Sequence, residues 1–284
     1  MRLRSKMLDF CTDMLISPFR LLPRRKREMA LSALAKRSIP IISEDTKHGL
    51  IKFFSIGRIA TFRAHTLLSK EAGTISWIDE FKDGSFMWDI GANIGCYSLY
   101  AAKMGIKVIA FEPSAFNYFA LCKNIEINKL DDDIMALNIA FANSTKLGYL
   151  NISNSEIGGA ISLFGEQNDR IKSIGKEFNV MFKQGALSFT IDDFMAHFNP
   201  PAPNYIKLDV DGTEAQIIEG ASKTLSGKGL ISLLVEFSED SPALIPTIGL
   251  LKGYGMHLLK RDLLYPKTED NPSAIYNYIF YRDY

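Results

Sequence analysis

The stretch MWDIGANIGCYSLYAAKMG, residues 87–105, constrains the fold more than any other part of the chain. An apolar run ends in Asp89. Gly91, Asn93 and Gly95 follow at every second position. A helix-like run over 94–104 comes next, with Ile94, Tyr97, Leu99 and Ala101 apolar. A buried strand turning over glycines into a helix is the opening of a βαβ unit. The alternation continues downstream. KVIAFE (107–112) reads as a strand, and Pro113 suits the first turn of a helix over 114–128. IMALNIAF (134–141) reads as a third strand and LGYLNIS (147–153) as an extra one. NYIKLDV (204–210), a helix over 213–226, the apolar LISLLVEF (230–237) and a helix near 242–252 follow. MHLLKR and IYNYIFYR (275–282) read as a closing antiparallel pair. The pattern predicts an α/β fold with a mostly parallel, doubly wound sheet. Residues 154–187, rich in Gly and Asn, break the alternation and suit a substrate lid.

The chain has 284 residues, 47% of them hydrophobic, enough for one large core. Its net charge of +1 gives no reason to expect a nucleic-acid partner. Charge is unevenly placed, however. Residues 1–37 carry ten basic and three acidic residues, +7, which leaves −6 on the remainder. We therefore expect a helical, basic N-terminal arm over 1–70 and a catalytic domain over 71–284. Leu3, Met7, Phe10, Cys11, Met14, Leu15, Phe19 and Leu22 precede the cluster RRKR (24–27). An apolar stripe with a basic flank suits an anionic membrane surface, and equally a helix packed on the enzyme with a solvated charge run. No apolar run approaches the roughly 18 residues of a membrane span, and MLISPF makes a poor signal peptide. Three cysteines without a CxxC pair favour a reducing compartment. The expectation is a cytoplasmic chain that the arm can bring to the inner face of a membrane. Oligomeric state is not legible.

In doubly wound sheets, ligands bind beyond the carboxyl ends of the strands. Glycines there admit a ligand close to the backbone, and a helix N-terminus offers N–H groups. Glu112 ends the next strand, 21 positions after Gly91, which suits a carboxylate accepting from ribose hydroxyls. The loop reads D-x-G-x-N-x-G. It lacks the third glycine of a pyrophosphate-binding fingerprint, and no Gly-Lys-Ser/Thr follows. Asp89 at its start suits a cationic cofactor, so S-adenosylmethionine (SAM) is favoured over NAD. Asp209 and Asp211 end another strand on the same edge, and Glu236 ends the one after. These three are the candidate proton acceptors for a hydroxyl nucleophile. Asp209 could instead hold the cofactor's amine, and Asp211 could cap the helix that follows. The same three carboxylates would be the ones to gather Mg²⁺, which this reading does not require. His48, His65, His197 and His257 are scattered, and Cys96 suits a small space on a helix face. NPPAPNY (199–205) precedes its strand and reads as a stiff linker. No G-x-S-x-G elbow and no HExxH zinc site are present.

D-I-G-A-N-I-G, F-E-P, K-N-I-E-I-N, T-I-D-D-F, I-K-L-D-V-D-G-T-E and I-I-E-G-A occur in that order between about residues 75 and 240. Together they resemble the FkbM-type SAM-dependent methyltransferases. The resemblance implies a class I methyltransferase (Rossmann-like) fold of seven strands with the last antiparallel. It also implies methylation of a hydroxyl oxygen, commonly on sugars or natural products, here in a glycan or glycolipid precursor. By the same resemblance Asp89, Gly91, Asn93, Gly95 and Glu112 are cofactor-binding, and Asn138 and Ala140 close the adenine side. Asp192, Lys207, Asp209, Asp211, Gly212 and Glu214 match further family elements. Asp211 stands where Glu is usual, which shortens its reach. An NAD-dependent oxidoreductase and a non-catalytic SAM-fold binder are the competing readings.

Overall fold

Pro40 keeps Ile39 out of helical geometry, and the first helical segment ends there. The computed structural model describes residues 10–165, 179–268 and 273–282. Met1–Ile41 and Ile42–Tyr284 form two separate compact units. In the first, residues 10–16 are helical, Ser17–Leu21 is a 3₁₀ turn, and α1 (Arg24–Ser38) follows. No residue of α1 is buried, and Phe10, Met14, Leu15, Leu21 and Met29 are exposed. No helix among the described residues is long and apolar enough to cross a membrane.

The arm is thus helical only to Ser38, not to residue 70. Beyond it, β1 (Ile41–Thr46) and β2 (Gly49–Phe54) form a two-stranded sheet. Ile51 and Phe53 of β2 are fully buried, as are Ala60 and Ala64 of α2 (Gly57–His65) and Ile78 of α3 (Ala72–Ile78). Three β-branched or aromatic residues inside LIKFF favour strand over helix, and Ile51 and Phe53 bring β2 into the core.

The chain then enters the alternation through β3 (Phe86–Ile90), α4 (Cys96–Lys103), β4 (Lys107–Phe111), α5 (Ala115–Asn128) and β5 (Ile134–Leu137). Four short strands follow: β6 (Ala140–Phe141), β7 (Lys146–Ile152), β8 (Ser162–Phe164) and β9 (Phe182–Phe189). The second half runs α6 (Ile191–Phe198), β10 (Tyr205–Leu208), α7 (Glu214–Glu219), α8 (Ser222–Ser226), β11 (Ser232–Ser238), α9 (Leu244–Gly253), β12 (Met256–Tyr265) and β13 (Ile275–Arg282).

The main sheet has the order β12-β13-β11-β10-β3-β4-β5. β13 is antiparallel to both neighbours, and the pairs from β11 to β5 are parallel. The expected seven strands with an antiparallel last strand are present. Side chains alternate across the sheet. Met87, Val108 and Ala110 join one apolar cluster with Leu99, Tyr100 and Leu121. Trp88, Ile90, Ile109 and Phe111 join another with Ile206, Leu208 and Ile217. Both faces are covered, which is why these strands are nearly all apolar. The order reverses between β3 and β10, and the carboxyl ends of those two strands carry the site.

Two expected elements are broken. Strand 134–141 stops at Leu137, because the Asn138 amide donates to the carbonyls of Glu112 and Pro113 at 2.8 and 2.9 Å. Helix 213–226 divides at Gly220, where a Cβ would meet the Ala142 carbonyl and the Thr190 side chain. Asp192 starts the second piece, accepting from the N–H groups of Lys223 and Thr224, both at 2.9 Å. β6, β9, β7 and β8 form a separate four-stranded sheet in that order. The expected lid over 154–187 therefore supplies two strands, and its residues 166–178 lie outside the described residues.

Candidate functional site

β3 and β10 run so close at their carboxyl ends that a side chain on Gly91 has no room. A Cβ there would stand 1.8 Å from the Asp209 carbonyl oxygen, and φ is +86°. The glycine is required by the neighbouring strand before any ligand is considered. Gly95, at φ +88°, is the N-cap of α4. The N–H groups of the loop ahead of α4 are engaged. Gly91 and Ala92 donate to the Phe111 carbonyl, Asn93 to Glu112, Ile94 to its neighbour Asn93, and Gly95 to the Ala92 carbonyl. Five successive N–H groups are engaged within the protein.

Over this loop lies an open crevice. Of the expected residues, Gly91, Asn93, Glu112, Asp209 and Asp211 line it. Arg63, Tyr97, Asn117, Gly159, Ala160 and Lys207 also line it. Asp89, Gly95, Glu236, Asn138 and Ala140 do not. Asp89 is fully buried behind the loop. Ser98 donates to its Oδ2 at 2.6 Å, and its Oδ1 has no hydrogen-bond partner among the described residues. Burial pushes its carboxyl up. Asn138 spends its amide on the two carbonyls, and Ala140 is buried in β6 opposite Ser188.

The carboxylates divide into two kinds. Asp209 is paired with Lys207, whose Nζ lies 2.7 Å from its Oδ2 and 5.0 Å from the centre of the Tyr97 ring. Lys207 is fully buried. Burial works against its ammonium, but Asp209 and Glu71 outweigh that, and it stays protonated above the usual lysine range. Glu71 is buried, accepts from Lys70 at 2.8 Å and from Thr74 at 3.0 Å, and faces the same lysine. Burial works to raise Asp209 and Glu71, but Lys207 and Lys70 hold both below the usual carboxylate range. Glu112, Asp211, Glu214 and Glu236 behave in the opposite sense, with burial as the first cause. Glu112 accepts the N–H groups of Asn93 and Ser114, both at 2.8 Å, yet burial pushes it up to about 7. Asp211 is pushed up to about 6 by burial and by Asp209. It takes φ +60° and accepts the Ile161 N–H at 2.6 Å, so it holds the insert rather than capping a helix. Glu214 organises the turn instead, accepting from Val210 at 3.2 Å and Gly212 at 3.0 Å, and is pushed up to about 7. Glu236 is pushed well up by burial and then by Asp209 and Glu71.

The insert reaches the crevice through residues 156–161. Asn93 and Asn117 each donate to the Gly159 carbonyl at 3.0 Å, and Gly158 donates to Asn117 at 2.8 Å. Glu156 accepts the N–H groups of Arg58 and Ile59 at the start of α2. Among the described residues, no three His, Cys, Asp or Glu side chains form a metal-ligand group, Asp209, Asp211 and Glu236 included. The histidines stand elsewhere: His48 on Asp79, His65 on Glu44 and His197 on the Asp193 carbonyl. Cys96 is buried on its helix. In the 199–205 linker, the Pro201 carbonyl accepts from Trp88 and Asn204 pairs with Phe86 at the amino end of β3, away from the crevice.

The methyltransferase FkbM domain family matches residues 89–255, and the chain belongs to it. Methyltransferase sdnD of Sordaria araneosa is 25% identical over 157 residues, 49% of this chain and 61% of that protein. Hexuronic acid methyltransferase AglP of Haloferax volcanii is 22% identical over 165 residues, 57% of this chain and 61% of that protein. The matches thus span about three fifths of these relatives' own lengths. Among solved structures, the SAM-bound magnesium protoporphyrin IX methyltransferase (ChlM) of Synechocystis PCC 6803 overlays with a TM-score of 0.47 at 12% identity, over 81% of this chain and 86% of that one.

The raised carboxyls set a pH dependence of stability. A carboxyl held above its unfolded value stabilises the fold below that value, and the contribution is lost as pH rises through the folded value. For Glu214, held near 7 rather than at the ordinary 4.5, the loss falls between those two pH values and amounts to about 3 kcal/mol at most. Asp209 and Glu71, held low, act only below this window. Urea unfolding should give lower stability at pH 8 than at pH 5, and Glu214→Gln should reduce that difference. An unchanged difference would show that Glu214 ionises freely.

Proposed function

We propose that the chain transfers the methyl group of SAM to a hydroxyl of a sugar in a glycan or glycolipid precursor. The observation that carries this reading is the loop from Gly91 to Gly95, whose N–H groups are all engaged while carboxylates line the crevice beside it. A dinucleotide's pyrophosphate is anionic and is repelled by carboxylates at that place. A cofactor with an ammonium, a sulfonium and a ribose needs acceptors, which favours SAM over NAD. The hexuronic acid methyltransferase among the relatives supports a sugar acceptor.

Bound in the crevice, the cofactor would supply a methyl carbon activated by its sulfonium. Glu112 at the end of β4 is the acceptor for the ribose hydroxyls, and Asp209, kept ionised by Lys207, faces the positive end. Asp211 is the better proton acceptor for a sugar hydroxyl. Its value near 6 leaves it ionised but basic at neutral pH, whereas Lys207 holds Asp209 below the usual carboxylate range and burial pushes Glu236 well above it. We also assign the chain to the cytoplasm, with the arm as a peripheral contact to anionic lipid. In that case co-sedimentation with vesicles requires anionic lipid and weakens with salt; equal binding to neutral vesicles, or none at all, contradicts the contact.

Methyl transfer from labelled SAM to a panel of uronate and neutral sugars tests the activity. Asp211→Asn should slow transfer by ~10²–10⁴-fold with little change in cofactor affinity. Normal turnover in that variant would remove Asp211 as the base, and a panel without product would contradict the acceptor class.

A further inference from the structure

Arg63 stands in α2, outside the residues that match the family and within the segment expected to be an arm. It lines the crevice beside Cys96, Tyr97 and the Gly91–Asn93 loop. Its Nε donates to the Gly158 carbonyl at 2.6 Å, and the Arg63 carbonyl accepts from Cys96 Sγ at 3.8 Å. The carboxylates of Asp209, Asp211 and Glu112 all feel its charge. Yet among the described residues Arg63 forms no ion pair, and its two Nη atoms have no hydrogen-bond partner. Lys70 and Lys207, the other cations here, are each committed to a carboxylate within 2.8 Å. A half-buried guanidinium anchored through Nε to a backbone carbonyl leaves its fork available. That fork matches a carboxylate with two parallel hydrogen bonds.

We infer that Arg63 is the carboxylate receptor of the crevice and holds the α-carboxylate at the amino-acid end of the cofactor. The inference rests on the cofactor reading above. Glu112 marks the ribose end, at the tip of β4. Arg63 lies against the start of α4, its carbonyl meeting Cys96, and it lines the crevice together with Asp209. The insert takes part as well, because the Gly158 carbonyl orients the guanidinium. α2 and the insert thereby become part of one binding site.

Two ligands separate this assignment from a structural role. S-adenosylhomocysteine carries the carboxylate, and methylthioadenosine shares its nucleoside and lacks the amino-acid end. Calorimetry on Arg63→Gln should show S-adenosylhomocysteine weakened by ~10–100-fold and methylthioadenosine unchanged. Arg63→Lys, which keeps charge without the fork, should fall between. Equal weakening of both ligands, or of neither, overturns the assignment. So does an intact S-adenosylhomocysteine affinity with a raised KM for uronate acceptors alone, which would give the fork to the acceptor's carboxylate. Failure of the unaltered chain to bind either ligand overturns the cofactor reading itself and this inference with it.

Discussion

A fully buried lysine sits at the centre of the sheet's carboxyl edge, and the site is arranged around its charge. Removing one partner from a buried ion pair typically costs ~3–5 kcal/mol, because it strands the other charge. Lys207 is satisfied by Asp209 beside it and by Glu71 from across the fold. Glu71 in turn holds Lys70 and Thr74. Segments more than 130 positions apart are thereby tied at the floor of the crevice. The close passage of Asp209 over Gly91 fixes the loop at the same point.

This floor separates the acidic groups by task. Lys207 holds Asp209 and Glu71 ionised, whereas at Glu112, Asp211, Glu214 and Glu236 burial wins and the carboxyls rise. Asp209 and Glu71 therefore supply a permanent negative charge, while Glu112 and Asp211 sit near neutrality and can exchange protons as ligands arrive. Two aspartates only two positions apart, Asp209 and Asp211, fall on opposite sides of that division, because only the first reaches the lysine.

The fold was legible wherever one period ran without competition. β3, β4, α5, β11 and β13 lie close to where apolar runs and helical spacing put them. The breaks came from side chains that compete with the backbone or need room. Asn138 ended a strand by bonding to carbonyls from another one, and Gly220 split a helix under contact with Ala142 and Thr190. The site was legible at Gly91, Asn93, Glu112, Asp209 and Asp211, which the strand ends carry directly. Arg63, Glu71 and Asn117 were not, since their place depends on packing between distant segments and no local pattern marks them. Glycine in the loop was the right signal with a partly wrong reason: Gly91 clears a neighbouring strand.

The central claim is that this edge holds a cationic, ribose-bearing cofactor and no dinucleotide. Titration calorimetry with S-adenosylhomocysteine and with NAD, at pH 6.5 in two buffers of different ionisation enthalpy, tests it directly. Glu112, near 7 in the free protein, must be ionised to accept ribose hydroxyls. The account predicts that S-adenosylhomocysteine binds with release of a proton, seen as a heat that depends on the buffer, and that NAD does not bind. Binding of NAD, or binding of S-adenosylhomocysteine with the same heat in both buffers, would contradict it.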